Sequence, residues 1–165
     1  MIVDGVTSFV FHLATALSEG GHRVAVLGRW AGKGFQSRLR AYGVEVISIP
    51  SPTVGNFWFD RKAREFAPDV LVTDSRRSFP LAVRLKRATG AKIFTFFLDN
   101  LEKTDKKGRD VDSLVRWSDA WLSAEPPLLE QLEEIPTPFQ KFLFQRPLFG
   151  LLTPTPIPER DPFRI

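Results

Sequence analysis

The sequence predicts an α/β protein, a parallel sheet covered by helices on both faces. Three observations carry this. Short apolar runs alternate with helix-period segments along residues 1–135. Glycines stand where those helical segments stop, at Gly20-Gly21, Gly43 and Gly90. With 165 residues, 43% of them apolar, the chain is large enough for a core of its own.

Val6, Phe9, Val10, Leu13, Ala14 and Leu17 recur at helical spacing and predict a helix over Val6 to Ser18. Gly20-Gly21 stops it, and Arg23 to Leu27 reads as a strand. Phe35 to Tyr42 reads as a short helix ended by Gly43, and Val44 to Ile49 as a strand with Glu45 and Ser48 at its polar positions. Ser51 to Phe59, rich in Pro, Gly and aromatics, reads as a loop. Asp60 is expected to cap a helix through Phe66, with Ala67-Pro68 as the stop and Asp69 to Thr73 as the next strand. A basic helix over Phe79 to Thr89 precedes a strand over Lys92 to Leu98. Asp110 to Trp117 is a helix, Ala120 to Leu122 a short strand, and Pro126 to Glu134 a helix with its prolines in the first turn.

Two features stand outside this regular order. The turn at Asp4-Gly5 should follow a strand, yet only Met1, Ile2 and Val3 precede it, so the first central strand is expected to be missing. Residues upstream of Met1, another segment such as Gly150 to Leu152, or a partner chain would have to fill its slot. From Pro136 the texture changes, with seven of the chain's 13 prolines lying between Pro136 and Pro162. No regular core element is expected there. Residues 1–135 are thus read as one domain and 136–165 as a Pro/Phe-rich extension. The extension either packs back on the domain or offers an apolar, basic patch to a membrane or a second domain.

Composition excludes several function classes. There is no cysteine, hence no disulfide scaffold, thiolate zinc site or cysteine nucleophile. That fits a cytoplasmic protein. His12 and His22 are too few for a histidine-rich metal site; His12 reads as a partly exposed structural residue and His22 as part of the helix stop. No apolar run is long enough to span a bilayer, and no signal-peptide pattern follows Met1. The net charge of +4 suits phosphates, lipid headgroups or nucleic acid, or is simply a solvated basic surface. Fifteen Phe and four Trp are many for this length, so some are expected on a partner or lipid surface.

Ligands of open parallel sheets sit beyond the carboxyl ends of the strands. That places Asp4 to Thr7, Gly28 to Gly34, Asp74 to Arg77 and Asp99 to Thr104 on one rim. Gly5, Val6 and Thr7 open a helix, where free N–H groups and the positive dipole end favour an anion. Asp74, Ser75, Arg76, Asp99 and Asn100 form a mixture able to bind sugar hydroxyls and phosphates. Helix capping is the competing role for Asp74 and Ser75. The cluster Arg76, Arg77, Arg84, Lys86 and Arg87 reads either as a solvated helix face or as a phosphate or headgroup site.

These stretches resemble the N-terminal domain of B-type glycosyltransferases of family four. Gly5-Val6 resembles the end of that family's glycine turn, and Gly21-His22-Arg23-Val24 its helix-to-strand junction. Ala67-Pro68-Asp69-Val70-Leu71-Val72, Gly90-Ala91-Lys92-Ile93-Phe94 and Ser118-Asp119-Ala120-Trp121-Leu122-Ser123-Ala124-Glu125 resemble three further family strands, in order, over about Asp4 to Leu132. The resemblance implies a Rossmann-like domain on the acceptor side of a cleft, with the reaction between two such domains. It implies a nucleotide sugar as co-substrate, no other cofactor, no metal, and a second domain with paired glutamates that binds the donor.

Asp4 stands where the family has its first glycine, and a carboxylate there repels a diphosphate. Leu98-Asp99-Asn100 stands where a family histidine is common. The resemblance thus implies the acceptor-side domain of a hexosyltransferase-type enzyme of carbohydrate biosynthesis. It would be inactive without its donor-binding domain and would act on a glycan, a lipid-linked sugar or a small molecule. Its expected place is the cytoplasm, with peripheral contact at the inner membrane face.

The rival expectation is a non-catalytic Rossmann-like domain that acts in a complex. Nucleic-acid binding lacks a recognised reading motif, and a dinucleotide oxidoreductase lacks the Gly-x-Gly-x-x-Gly turn.

Overall fold

A computed structural model describes residues 5–28, 33–48, 55–75, 78–97, 111–123 and 125–143. Among these lie six helices and six strands. In chain order they are α1 (Gly5–Glu19), β1 (Ala25–Gly28), α2 (Lys33–Ala41), β2 (Glu45–Ser48), α3 (Gly55–Phe66) and β3 (Val70–Asp74). Then follow α4 (Phe79–Thr89), β4 (Lys92–Phe97), α5 (Val111–Trp117), β5 (Ala120–Ser123), α6 (Pro126–Glu133) and β6 (Lys141–Leu143). Parallel sheets with interleaved helices make this a Rossmann-like α/β chain.

The chain divides into two compact units, Met1–Leu71 with Pro80–Ile93, and Val72–Phe79 with Phe94–Ile165. The strands form two sheets, β1-β2 and β3-β4-β5-β6. The stretch Met1–Asp4, on which the missing-strand expectation rests, lies outside the described residues.

In the first unit, β1 and β2 pair in parallel from Ala25↔Glu45 to Gly28↔Ser48. Successive strand residues point to opposite faces. Val26 accordingly packs with Phe11, Ala14, Leu39 and Val44, a cluster supplied mainly by α1 and α2. Its neighbour Leu27 packs with Phe59, Ala63 and Leu85 of α3 and α4. Helices thus cover β1 on both faces.

The stops of α1 and α2 are alike. Gly21 and Gly43 take positive φ, 84° and 74°. The His22 N–H reaches the Leu17 carbonyl at 3.0 Å, and the Val44 N–H the Leu39 carbonyl at 3.1 Å, so the last carbonyls of each helix are satisfied. His12 is half-buried, edge-on to Phe11 with ring centroids 5.5 Å apart.

The helix α3 departs from expectation. It begins at Gly55, inside the stretch read as a loop, so Asp60 lies in its second turn and is not a cap. Burial explains this: Phe59 and Ala63, four apart, enter the core with Leu85, which is worth more than the turn propensity of the preceding residues. Asp60 instead accepts two bonds from Arg84 of α4, Nε to Oδ1 at 2.9 Å and Nη2 to Oδ2 at 2.7 Å. The hydrogen-bonded Arg84 guanidinium, helped by the charge of Arg64, holds the Asp60 carboxyl below the usual carboxylate range.

The second unit takes in the carboxyl-end portions of β3 and β4. The Lys92 N–H donates to the Asp69 carbonyl and the Ser75 N–H to the Phe96 carbonyl, so the bonds advance in the same direction along both strands, as in a parallel pair. Parallel pairing continues as Phe94↔Ala120 to Phe97↔Ser123, and then as Trp121↔Lys141 to Ser123↔Leu143.

Trp121 and Phe97 are fully buried. The indole ring packs edge-on against Phe97 at 5.1 Å and against Phe139 at 5.5 Å. Its Nε1 is buried without a hydrogen-bond partner, a cost accepted for the aromatic packing. Between β4 and the end of α5, the hydroxyls of Thr95 and Ser118 bond at 2.7 Å in the interior. Pro126 and Pro127 occupy the first turn of α6, where the missing N–H is no loss, and Leu128 and Leu132 are the buried residues of this helix.

β6 corrects a second expectation. It forms beyond Pro136, where no regular core element was anticipated. The prolines Pro136 and Pro138 precede the strand and leave its ladder intact. The remainder of the extension, residues 144–165, lies outside the described residues.

Two stability tests follow from these contacts. Asp60→Asn should lower the melting temperature at pH 7. A carboxyl with a depressed folded-state pKa stabilises above its unfolded value and loses that effect as pH falls through the folded value. The gap between variant and parent should therefore hold through pH 5 and close below about pH 4 in a pH series of melts. Thr95→Val should cost about 1–3 kcal/mol in urea unfolding, because the Ser118 hydroxyl loses its partner; adding Ser118→Ala should recover part of that loss.

Candidate functional site

The carboxyl ends of β3, β4 and β5 lie in the second unit, and the end of β3 is followed closely by α4. β3 runs Val70-Leu71-Val72-Thr73-Asp74, and four residues separate Asp74 from the first residue of α4, counting Ser75 to Ser78. So short a passage from strand to helix makes the strand-end side chains satisfy the backbone locally. The Asp74 N–H donates to Ser78 Oγ at 3.1 Å, and the Ser78 N–H returns to Asp74 Oδ1 at 3.4 Å. Thr73 and Ser78 share a hydroxyl–hydroxyl bond of 2.6 Å, and the Thr73 hydroxyl also lies 3.1 Å from the Asp74 carbonyl. One proton arrangement serves all of these: Thr73 donates to the carbonyl and Ser78 donates to Thr73. The bond from the Ser75 N–H to the Phe96 carbonyl, 3.1 Å, ties the loop to the end of β4.

Chemically, this presents a half-buried carboxylate on a loop held by at least four hydrogen bonds. A carboxylate accepts from sugar hydroxyls and repels phosphates. Asp74 accepts from the N–H of Ser78, the residue before α4, and so bonds just outside the helix rather than capping it. Ser75 is only 4% exposed, so its hydroxyl faces the protein interior. At the end of β5, fully buried Ser123 closes a similar small turn, donating to the Glu125 carbonyl at 2.9 Å and accepting from the Glu125 N–H at 3.1 Å.

The other residues anticipated for the site are placed as follows. Gly5, Val6 and Thr7 belong to the first unit and form the first turn of α1 itself rather than a turn before it. Their backbone N–H groups are among those a helix start leaves without intrahelical partners. Arg76, Asp99 and Asn100, with most of Gly28 to Gly34 and all of Asp99 to Thr104, lie outside the described residues. Thr73 and Ser78 were not anticipated. Their signal was present: Ser78 stands immediately before a helix with Pro80 in its first turn, the usual place for a capping hydroxyl.

A shallow cavity of about 430 Å³ lies between Pro68–Val70 and Thr89–Lys92. It sits at the amino ends of β3 and β4, the end of a parallel sheet that ligands do not favour. Among the described residues no group of three His, Asp or Glu side chains could hold a metal ion. No described helix is long and apolar enough to cross a membrane.

Ser78→Ala should expose how far the rim depends on this loop. It removes the acceptor of the Asp74 N–H and the partner of Thr73, and should cost about 1 kcal/mol by urea unfolding.

No curated protein and no solved structure matches the chain. A family model does: that of the glycosyl transferase 4-like domain, over residues 4–132. The match spans every described element from α1 to α6 except the last residue of α6, and it includes the Asp74 rim. The chain therefore belongs to the glycosyl transferase 4-like domain family.

Proposed function

We propose that the chain is the acceptor-side domain of a glycosyltransferase. In this reading a sugar moves from a nucleotide-sugar donor to a glycan, a lipid-linked sugar or a small-molecule acceptor. The donor is bound by a second domain, and the acceptor-side domain alone is inactive. The observation that carries the reading is the family match over residues 4–132, which includes a strand-end carboxylate on a hydrogen-bonded loop.

Each residue then has a task that its chemistry suits. Asp74 accepts a hydrogen bond from an acceptor hydroxyl and orients it, and the Thr73–Ser78 bond keeps the loop from relaxing around it. Ser75 supports the loop through its backbone bond to Phe96. Gly5, Val6 and Thr7 offer the N–H groups of the α1 start to the donor diphosphate. Arg76 supplies positive charge, and Asp99 and Asn100 supply further acceptors and donors for hydroxyls. The enzyme would work in the cytoplasm on carbohydrate biosynthesis.

The test uses Asp74→Asn, which keeps an oxygen for the Ser78 N–H while removing the charge. Ligand-observed NMR against a panel of glycans, polyprenol-linked sugars and small alcohols should find acceptor binding by the chain alone. Asp74→Asn should weaken it about tenfold or more, as expected for a hydrogen bond to a charged group. Incubation with nucleotide sugars should give transfer only after a donor-binding domain is supplied. Acceptor binding unchanged by Asp74→Asn would remove that residue from the site. Transfer by the chain alone would overturn the two-domain reading.

A further inference from the structure

The helices α1, α2 and α4 stop on glycine. Gly21, Gly43 and Gly90 take φ of 84°, 74° and 78° there. The stop of α3 is different. It falls on Ala67, whose φ is 51°, the one positive value among the described residues that are not glycine. In this left-handed region a Cβ crowds the neighbouring carbonyl, a cost that glycine does not bear. Pro68 follows, and a residue before proline prefers extended backbone, so Ala67 is strained for two reasons. Its N–H still donates to the Ala63 carbonyl at 2.8 Å, the same bond that the Gly90 N–H makes to the Lys86 carbonyl at 2.7 Å. The strain is therefore held by something outside the stop itself.

Arg23, just before β1, supplies the hold. Its guanidinium lies over the Phe66 ring, 4.3 Å from the centroid, and its Nη1 donates to the Phe66 carbonyl at 3.4 Å. Its Nη2 is 3.8 Å from Glu45 of β2, a pair too exposed, at 68% and 50%, to add much by itself. Both contacts to Phe66 fall on the residue next to Ala67. Firm points stand on either side. Phe59 and Ala63 are anchored in the core, and the Asp69 carbonyl is tied to the Lys92 N–H at 2.9 Å. Between them Arg64, Glu65 and Ala67 are exposed and Phe66 is half-buried, so little apolar burial secures this stretch. We propose that the exit of α3 is a strained hinge that Arg23 holds shut. Arg64 to Pro68 opens locally while the rest of the unit stays folded, and it carries with it the Pro68 wall of the cavity between Pro68–Val70 and Thr89–Lys92. Backbone strain persists only where surrounding contacts over-determine it, and a stretch with few buried contacts opens at lower free energy than the core.

Hydrogen exchange of the full chain, followed by NMR, tests this. The Ala67 amide is read against the Gly90 amide, which makes the same bond at an unstrained stop. After correction for intrinsic rates, Ala67 should exchange about tenfold faster or more. Ala67→Gly should slow exchange over residues 64–67 about threefold or more, because glycine takes the left-handed conformation without the clash. Arg23→Met keeps an apolar stem and removes the guanidinium. It should speed exchange over residues 64–67 about threefold or more and leave Gly90 unchanged. Combining the two substitutions should bring the Arg64, Glu65 and Phe66 amides back towards their parental rates. An Ala67 amide as slow as that of Gly90, no slowing in Ala67→Gly, or an Arg23→Met effect spread equally to Gly90 would overturn the proposal.

Discussion

Coverage of a parallel strand on both faces is the constraint on which the rest of the first unit depends. Such a strand meets its backbone needs through neighbouring strands and its side-chain needs through a helix layer on each side. β1 shows both demands within two residues, with Val26 turned into the α1–α2 cluster and Leu27 into the α3–α4 cluster. Leu39, Val44 and Phe59, almost fully buried, follow from this. So do the left-handed glycines Gly21 and Gly43, which turn the chain from helix back into strand without a long connection.

In the second unit the same constraint takes a more aromatic form. Trp121, Phe96 and Phe97 fill the volume of the four-stranded sheet, and the Thr95–Ser118 bond removes the penalty of two hydroxyls in that interior. Two strands of this sheet end in turns held by their own side chains, one through Ser78 and Asp74, the other through Ser123 and Glu125. A loop stabilised by its own side chains can leave a carboxylate partly exposed without losing its shape. This is the property that an acceptor-orienting group needs.

Electrostatics is organised separately from the core. The ion pairs of α3 and α4 are exposed or half-exposed, so each adds little to stability. Asp60 illustrates the division of labour. Its position in the second turn of α3 is set by the burial of its neighbour Phe59, and its charge then selects Arg84 as the contact between two helices.

Much of the fold was legible in the residues. Helical spacing from Phe9 to Leu17 and the glycine stops set the type and order of the elements through local backbone energetics, which need no partner. The order and spacing of the strand motifs were enough to indicate the family. Where burial outweighed local preference, the sequence misled. Gly55–Phe59 looked like a loop until Phe59 and Ala63 found Leu85, and Lys141–Leu143 looked too close to prolines until β5 offered an edge. For the site, the sequence singled out Asp74 at a strand end but not the Thr73–Ser78–Asp74 loop, because hydrogen bonds across a turn depend on the dihedral angles of residues between them. The sequence by itself thus determined the type and order of the elements from α1 to α6 and what charge they carry. Tertiary structure alone decided which strands pair, that Ser75 turns inward, and that Asp60 meets Arg84, since these rest on contacts between residues far apart in the chain.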